Sequence, residues 1–159
     1  MNAKKKTGKE VNNSVQSIIN GLSDVLANRQ VYYANLRGLH WDIVGDKFFE
    51  LHELYEEYYN EEAAAIDQVA ERIAMLGGHP ENRFSEYLKQ SDIKETHHVS
   101  DWEEGVNQVI ASKNILREKY QSLVKVATEA GDFGTVALAG KHLSAIETHL
   151  WKLTTYMAE

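Results

Sequence analysis

The chain contains no cysteine at all, which removes disulfides and thiolate metal sites together and leaves His, Asp and Glu as the available metal ligands. A cysteine-free chain is at home in a reducing cytoplasm, the compartment expected here. Proline occurs once and glycine ten times in 159 residues, too little turn chemistry for a β-rich fold and well suited to long uninterrupted helices. No apolar run approaches the length of a membrane span, so no membrane is expected among its partners. The N-terminus, MNAKKKTGKEVNN, has the lysines of an export signal but no apolar stretch behind them, and export is not expected.

What is present is charge, unevenly placed. Residues 1–9 hold Lys4, Lys5, Lys6 and Lys9 with no acid; setting that +4 apart from the net −7 leaves −11 on the rest. An acidic body attracts cations and repels DNA, whereas a short basic tail does the reverse. The expected organisation is a flexible Lys-rich tail over 1–10 and one helical domain over 11–159, long enough for a real core.

Apolar residues recur at helical spacing through Val15, Ile18, Leu22, Val25, Leu26, Leu36 and Leu39, giving a first helix from Val11 to about Leu39. Gly45 supplies a turn, and Asp46 is a plausible cap for a second helix over 47–76, ended by Gly77-Gly78-His79-Pro80. Residues 81–100 form a long connector with a short helical turn near Phe84–Leu88. A third helix follows over 101–130, then a Gly131–Gly134 turn and a fourth helix to the end. Four amphipathic helices with one long crossover between the second and third make an all-α, ferritin-like four-helix bundle the expected fold.

The second helix carries two ligand-type pairs at i, i+4 spacing, His52 with Glu56 and Asp67 with Glu71. The fifteen residues from His52 to Asp67 cover about 22 Å of helix, too far for one metal centre. The spacing is symmetric, however. In an antiparallel second copy centred near residues 61–62, His52 faces Glu71 of the other helix and Glu56 faces Asp67. Ala63, Ala64 and Ala65 at that midpoint permit close approach. On a helical wheel all four side chains fall in one narrow polar band beside the core stripe; an ordinary solvated face is the competing reading. His40, at the end of the first helix, adds a second imidazole. His40, His52 and Glu56 then form a nitrogen/oxygen triad with open positions, a set suited to iron(II). The remaining histidines (His79, His97, His98, His142, His149) read as loop, surface or packing residues, including the lone Glu95-Thr96-His97-His98 run.

The stretch LRGLHWDIVGDKFFELHELYEEYYNEEAAAIDQVAERIAMLGG resembles the signature of the DNA-protection-during-starvation (Dps) family, the mini-ferritins, and the similarity extends over the whole helical body to Trp151. The resemblance places His40, His52, Glu56, Asp67 and Glu71 on the family's ferroxidase ligands, three from one subunit and two from its neighbour. It departs at Glu56, where the family usually has Asp; Trp41 matches a Trp kept near the site. It implies a hollow twelve-subunit shell, built from two-fold dimers, that oxidises iron(II) with hydrogen peroxide or oxygen at a di-iron or mono-iron centre and stores iron(III). Glu129 and Asp132 resemble acidic pore positions, with Ala137 where a third acid would stand. The alternative function is a nonspecific, nucleoid-associated DNA-binding protein acting through Lys4, Lys5, Lys6 and Lys9.

Overall fold

The computed structural model describes residues 8–158. Four long helices and one short one make up the described chain: α1 (Gly8–Asp42), α2 (Phe48–Met75), α3 (Phe84–Gln90), α4 (Trp102–Ala130) and α5 (Phe133–Tyr156). There is no strand among the described residues, and no helix among them is long and apolar enough to cross a membrane. The expected all-α bundle with a long crossover is the fold observed, and the short helix in the crossover is α3. α1 starts at Gly8, three residues before the expected Val11, and runs on through His40 and Trp41. Lys4, Lys5 and Lys6, and the side chain of Lys9, lie outside the described residues.

α1 is the central element, packing along α2 and α4 and carrying α3 on its outer side, while α4 pairs with α5. Leu22, Val25, Leu26 and Leu36 of α1 are fully buried and meet Leu51, Tyr55, Val69 and Ile73 of α2 and Val106, Leu116 and Leu123 of α4 in one core cluster. At Gly105 α4 lies close to α2. A Cβ there would stand 2.8 Å from the Tyr55 hydroxyl, so a side chain would force Tyr55 or α4 to shift.

Helix ends follow local chemistry. Asp101 caps α4 by accepting from the Glu104 N–H, and Gly131, in the left-handed region at φ 77°, ends it. Asp132 caps α5 through the Thr135 N–H and is also paired with Arg72 of α2 at 2.6 Å. That gives Asp132 a structural task at the turn whose acids resemble pore positions. At the start of α2 the cap position falls on Lys47, not on Asp46, and no side chain caps it.

The crossover is bound to α1 by two buried asparagines one heptad apart. Asn28 Oδ1 accepts from the backbone N–H groups of Asp92 and Ile93 and from the Ser91 hydroxyl. Asn35 donates to the Lys94 carbonyl and accepts from the Thr96 N–H. Each amide satisfies backbone groups that a loop running over a helix would otherwise leave unpaired. Farther along, the Val44 N–H donates to the Ser100 carbonyl, so the end of the crossover also fixes the α1–α2 loop beside His40.

Candidate metal centre

His40 lies in the last turn of α1 and His52 in the second turn of α2, and the tight α1–α2 loop lays one ring on the other. The rings stack with centroids 3.7 Å apart and planes 20° from parallel. Phe48 stacks on the other face of His52 at 4.8 Å, and Tyr59 meets His40 edge-on at 5.3 Å. His40 is only 8% exposed.

Two crosswise hydrogen bonds hold this pair: His40 Nδ1 to the His52 carbonyl at 2.7 Å, and His52 Nδ1 to the His40 carbonyl at 2.8 Å. The first uses a second lone pair of a helical carbonyl. The second uses a carbonyl at the end of α1, where intrahelical donors run out; the Val44 N–H that would have reached it is bonded to Ser100 instead. A carbonyl oxygen can only accept, so each Nδ1 carries the hydrogen. In the neutral rings each Nε2 therefore keeps its lone pair, the tautomer that a metal ligand needs.

The carboxylates sit elsewhere on α2. Glu56 is exposed one turn beyond His52, and Asp67 and Glu71 are exposed near the far end of the helix. The structure thus brings His40 and His52 together and leaves Asp67 and Glu71 about four to five helical turns farther along α2. Among the described residues, no three His, Asp or Glu side chains of one chain converge as a metal-holding group. Phe49, three residues before His52 and so on the same flank of α2, is 80% exposed, and Trp41 beside His40 is 64% exposed, lying under the Arg37 guanidinium at 4.8 Å. The flank that carries the ligand-type residues is therefore also an apolar one.

The centre of the bundle, where larger ferritin-like proteins gather Glu and His around metals, is filled differently. Arg29 of α1 donates from Nη1 to Glu62 of α2 at 2.5 Å and from Nε to the Tyr120 hydroxyl at 2.7 Å. Lys113 of α4 reaches His149 Nδ1 at 2.9 Å and sits 4.3 Å from the Tyr58 ring centre. Arg29 and Lys113 are each 2% exposed and Glu62 5%. Two cations with one carboxylate repel a metal ion. Burial pulls Lys113 down to about 8, with Glu62 opposing and Arg29 adding to the effect. His142 and His149, expected in surface or packing roles, pack: His142 against Tyr120 and His149 on Tyr58. Burial, then nearby cations, depress them to about 3 and about 4. Sequence reasoning did not find the Arg29–Glu62–Lys113 group. Its available signal was three charged residues interrupting apolar stripes, Glu62 falling between Tyr58 and Val69 on the core face of α2.

The loop histidines do not reach this centre. His98 adopts a left-handed φ of 52° and lies 3.4 Å from Asp42, exposed with His97 at the end of the crossover.

Four long helices with a long crossover between α2 and α4 make a ferritin-like bundle, and a ferritin-like domain model matches residues 19–159. The DNA protection during starvation protein of Porphyromonas gingivalis is 48% identical over 142 residues, 89% of each chain. General stress protein 20U of Bacillus subtilis is 33% identical over 89% of this chain and 98% of its own. Among solved structures, a Dps protein of Vibrio cholerae, described as a member of a broad superfamily of ferritin-like diiron-carboxylate proteins, superimposes with a TM-score of 0.90 at 35% identity, over 99% of both chains. A Dps protein from Bacillus brevis does so at 0.89 and 31%, over 96% of this chain and 99% of its own. The chain belongs to the ferritin-like family and, within it, to the Dps proteins.

Proposed function

We propose that this chain is an iron(II)-oxidising, iron-storing mini-ferritin whose oxidation site is shared between two copies. His40, His52 and Glu56 of one copy face Asp67 and Glu71 of the other across an antiparallel α2–α2 contact, and iron is the substrate. The observation that carries the reading is the crosswise hydrogen bonding of His40 and His52, which leaves two ligating nitrogens side by side on the flank of α2 that also carries Glu56, with Asp67 and Glu71 of the same copy too far along the helix to join them. The exposed Phe49 on that flank supports its burial by a second copy. The chemistry suits paired irons. Each iron(II) gives up one electron, the O–O bond of hydrogen peroxide takes both and breaks, and no hydroxyl radical is released. The protein's part is to hold the two irons within reach of one oxidant. A closed, cytoplasmic shell of twelve such chains, with an acidic lining that draws in cations, extends this reading to storage and to protection from oxidative damage.

Stopped-flow iron(II) oxidation with peroxide, using mixed subunits, tests the site. His40→Ala/His52→Ala and Asp67→Ala/Glu71→Ala chains should each oxidise iron slowly on their own. Unfolded and refolded together, random pairing restores roughly a quarter of the wild-type sites, because each mixed pair holds one intact site. Absence of any recovery in correctly assembled mixtures, or a monomeric mass by sedimentation, defeats the shared-site reading.

A further inference from the structure

The outer flank of α2 carries a stripe of residues that all stand exposed: Phe49, Glu56, Asn60, Ala63, Asp67 and Ala74. At about 100° per residue they lie within about 30° of one line along the helix, so a single straight partner can cover them all. They also pair about one midpoint, between residues 61 and 62: Phe49 with Ala74, Glu56 with Asp67, and Asn60 with Ala63. An antiparallel second copy of α2 centred there sets each residue against its mate.

Phe49 is the one large apolar member of the stripe, 80% exposed, and Ala74, which it would face, is small. Between these ends the stripe offers little apolar area. Glu56 and Asp67 with their copies put four carboxylates into the contact, and these repel one another when no metal is bound. The Phe49 ring meets Phe48 edge-on at 5.3 Å, and Phe48 stacks on His52. Ring contacts therefore connect Phe49 to the paired imidazoles.

We infer, resting on the α2–α2 pairing proposed above, that Phe49 is the apolar anchor of that contact. At each end of the paired helices it seats on Ala74 of the second copy, and the two copies hold together before any metal binds. The shared metal site is then already assembled in the iron-free protein. Phe49 and Ala74 of one chain stand about 37 Å apart, too far to touch, so any coupling between them crosses the contact. Reaching this far from the two-fold axis needs helices that cross at a shallow angle of about 20°, and the pairing of His52 with Glu71 needs the same.

The lack of native cysteine makes this register open to cross-linking. Helices packed about 8–10 Å apart bring facing Cα atoms within the roughly 4.4–6.8 Å that a disulfide spans. Iron-free Phe49→Cys/Ala74→Cys protein, oxidised with diamide and run on a non-reducing denaturing gel, should give a covalent dimer. Either single variant should stay monomeric, since like positions lie about 37 Å apart. By sedimentation of the iron-free protein, Phe49→Ala should weaken association about tenfold or more. Phe49→Ala/Ala74→Phe, which exchanges knob and seat, should recover most of that loss. A Glu56→Cys/Asp67→Cys chain separates the two readings. If it cross-links and the Phe49→Cys/Ala74→Cys chain does not, the anchor is overturned and the shared site stands; if neither cross-links, both fall. Association of Phe49→Ala equal to wild type also overturns the anchor.

Discussion

Replacing Glu62 by Gln removes the buried carboxylate that pairs with Arg29 while keeping the side chain's size. Arg29 then stands 2% exposed with its Nη1 facing an amide, and Lys113 shares the same interior. The two cations respond differently. Lys113, already at about 8, sheds its proton when Glu62 is lost and so escapes most of the penalty. Arg29 has no such exit, because a guanidinium does not deprotonate in proteins. The loss should match that of breaking a buried ion pair, about 3–5 kcal/mol. Set against a typical domain stability of about 5–15 kcal/mol, that is a large fraction. Urea unfolding at fixed protein concentration measures it. The companion variant, Arg29→Met with Glu62→Leu, removes both charges, and by the same reasoning should lie within about 1 kcal/mol of wild type. The reasoning is refuted if Glu62→Gln costs less than about 1 kcal/mol, or if the double variant is as unstable as the single one.

Two further predictions concern pH and a helix cap. His142 and His149 are neutral in the native state well below pH 6.5, so the unfolded chain binds protons there that the native chain does not; stability is full above about pH 6.5 and falls as pH drops towards about 4 and 3. At pH 5 each should cost about 1 kcal/mol, half of what complete exclusion of water would give. Urea midpoints at pH 7.5 and pH 5 test this, and a His142→Gln/His149→Gln chain as pH-sensitive as wild type would contradict it. Asp132→Ala should lose about 2 kcal/mol by removing both the α5 cap and the Arg72 partner, whereas Asp132→Asn keeps the cap and should lose about half as much. Equal thermal shifts for the two variants would exclude a capping role.

The parts of the fold that periodicity controls were legible in the sequence. The apolar spacing of Leu22, Val25 and Leu26, or of Leu51, Tyr55 and Tyr58, has a single helical reading, and the glycine clusters at 77–78 and 131–134 mark stops. His40 and His52 could be joined because a short loop must fold adjacent helices together. The illegible parts depend on contacts remote in sequence. Asn28 and Asn35 read as polar interruptions of α1 until the crossover segment that they bind is in place. Asp46 has the composition of a cap, yet the turn closes one residue later, and α2 begins without one. Glu62 was hidden among the acids of NEEAAAIDQVAERI, and only its register with Tyr58 and Val69 sets a carboxylate that meets Arg29 apart from neighbours that meet water.

That last distinction bears on why the ligand-type residues lie where they do. Two helix flanks of α2 carry acid: the inner one ends on Glu62, and the outer one holds Glu56, Asp67 and Glu71. With Arg29 and Lys113 occupying the interior, a metal ion brought to Glu62 would meet two fixed positive charges at close range in a low dielectric, and each would repel it more strongly than in water. The outer flank has no such cations beside His52. Its acids, however, are spread along a straight helix, and a helix cannot bend back to bring Asp67 to His52. Under the proposed function, antiparallel pairing of two α2 helices would bring both imidazoles and three carboxylates to one point outside the cation-filled centre. The subunit-mixing experiment therefore tests the consequence of filling the bundle centre with Arg29 and Lys113 as much as it tests the assignment of five ligands.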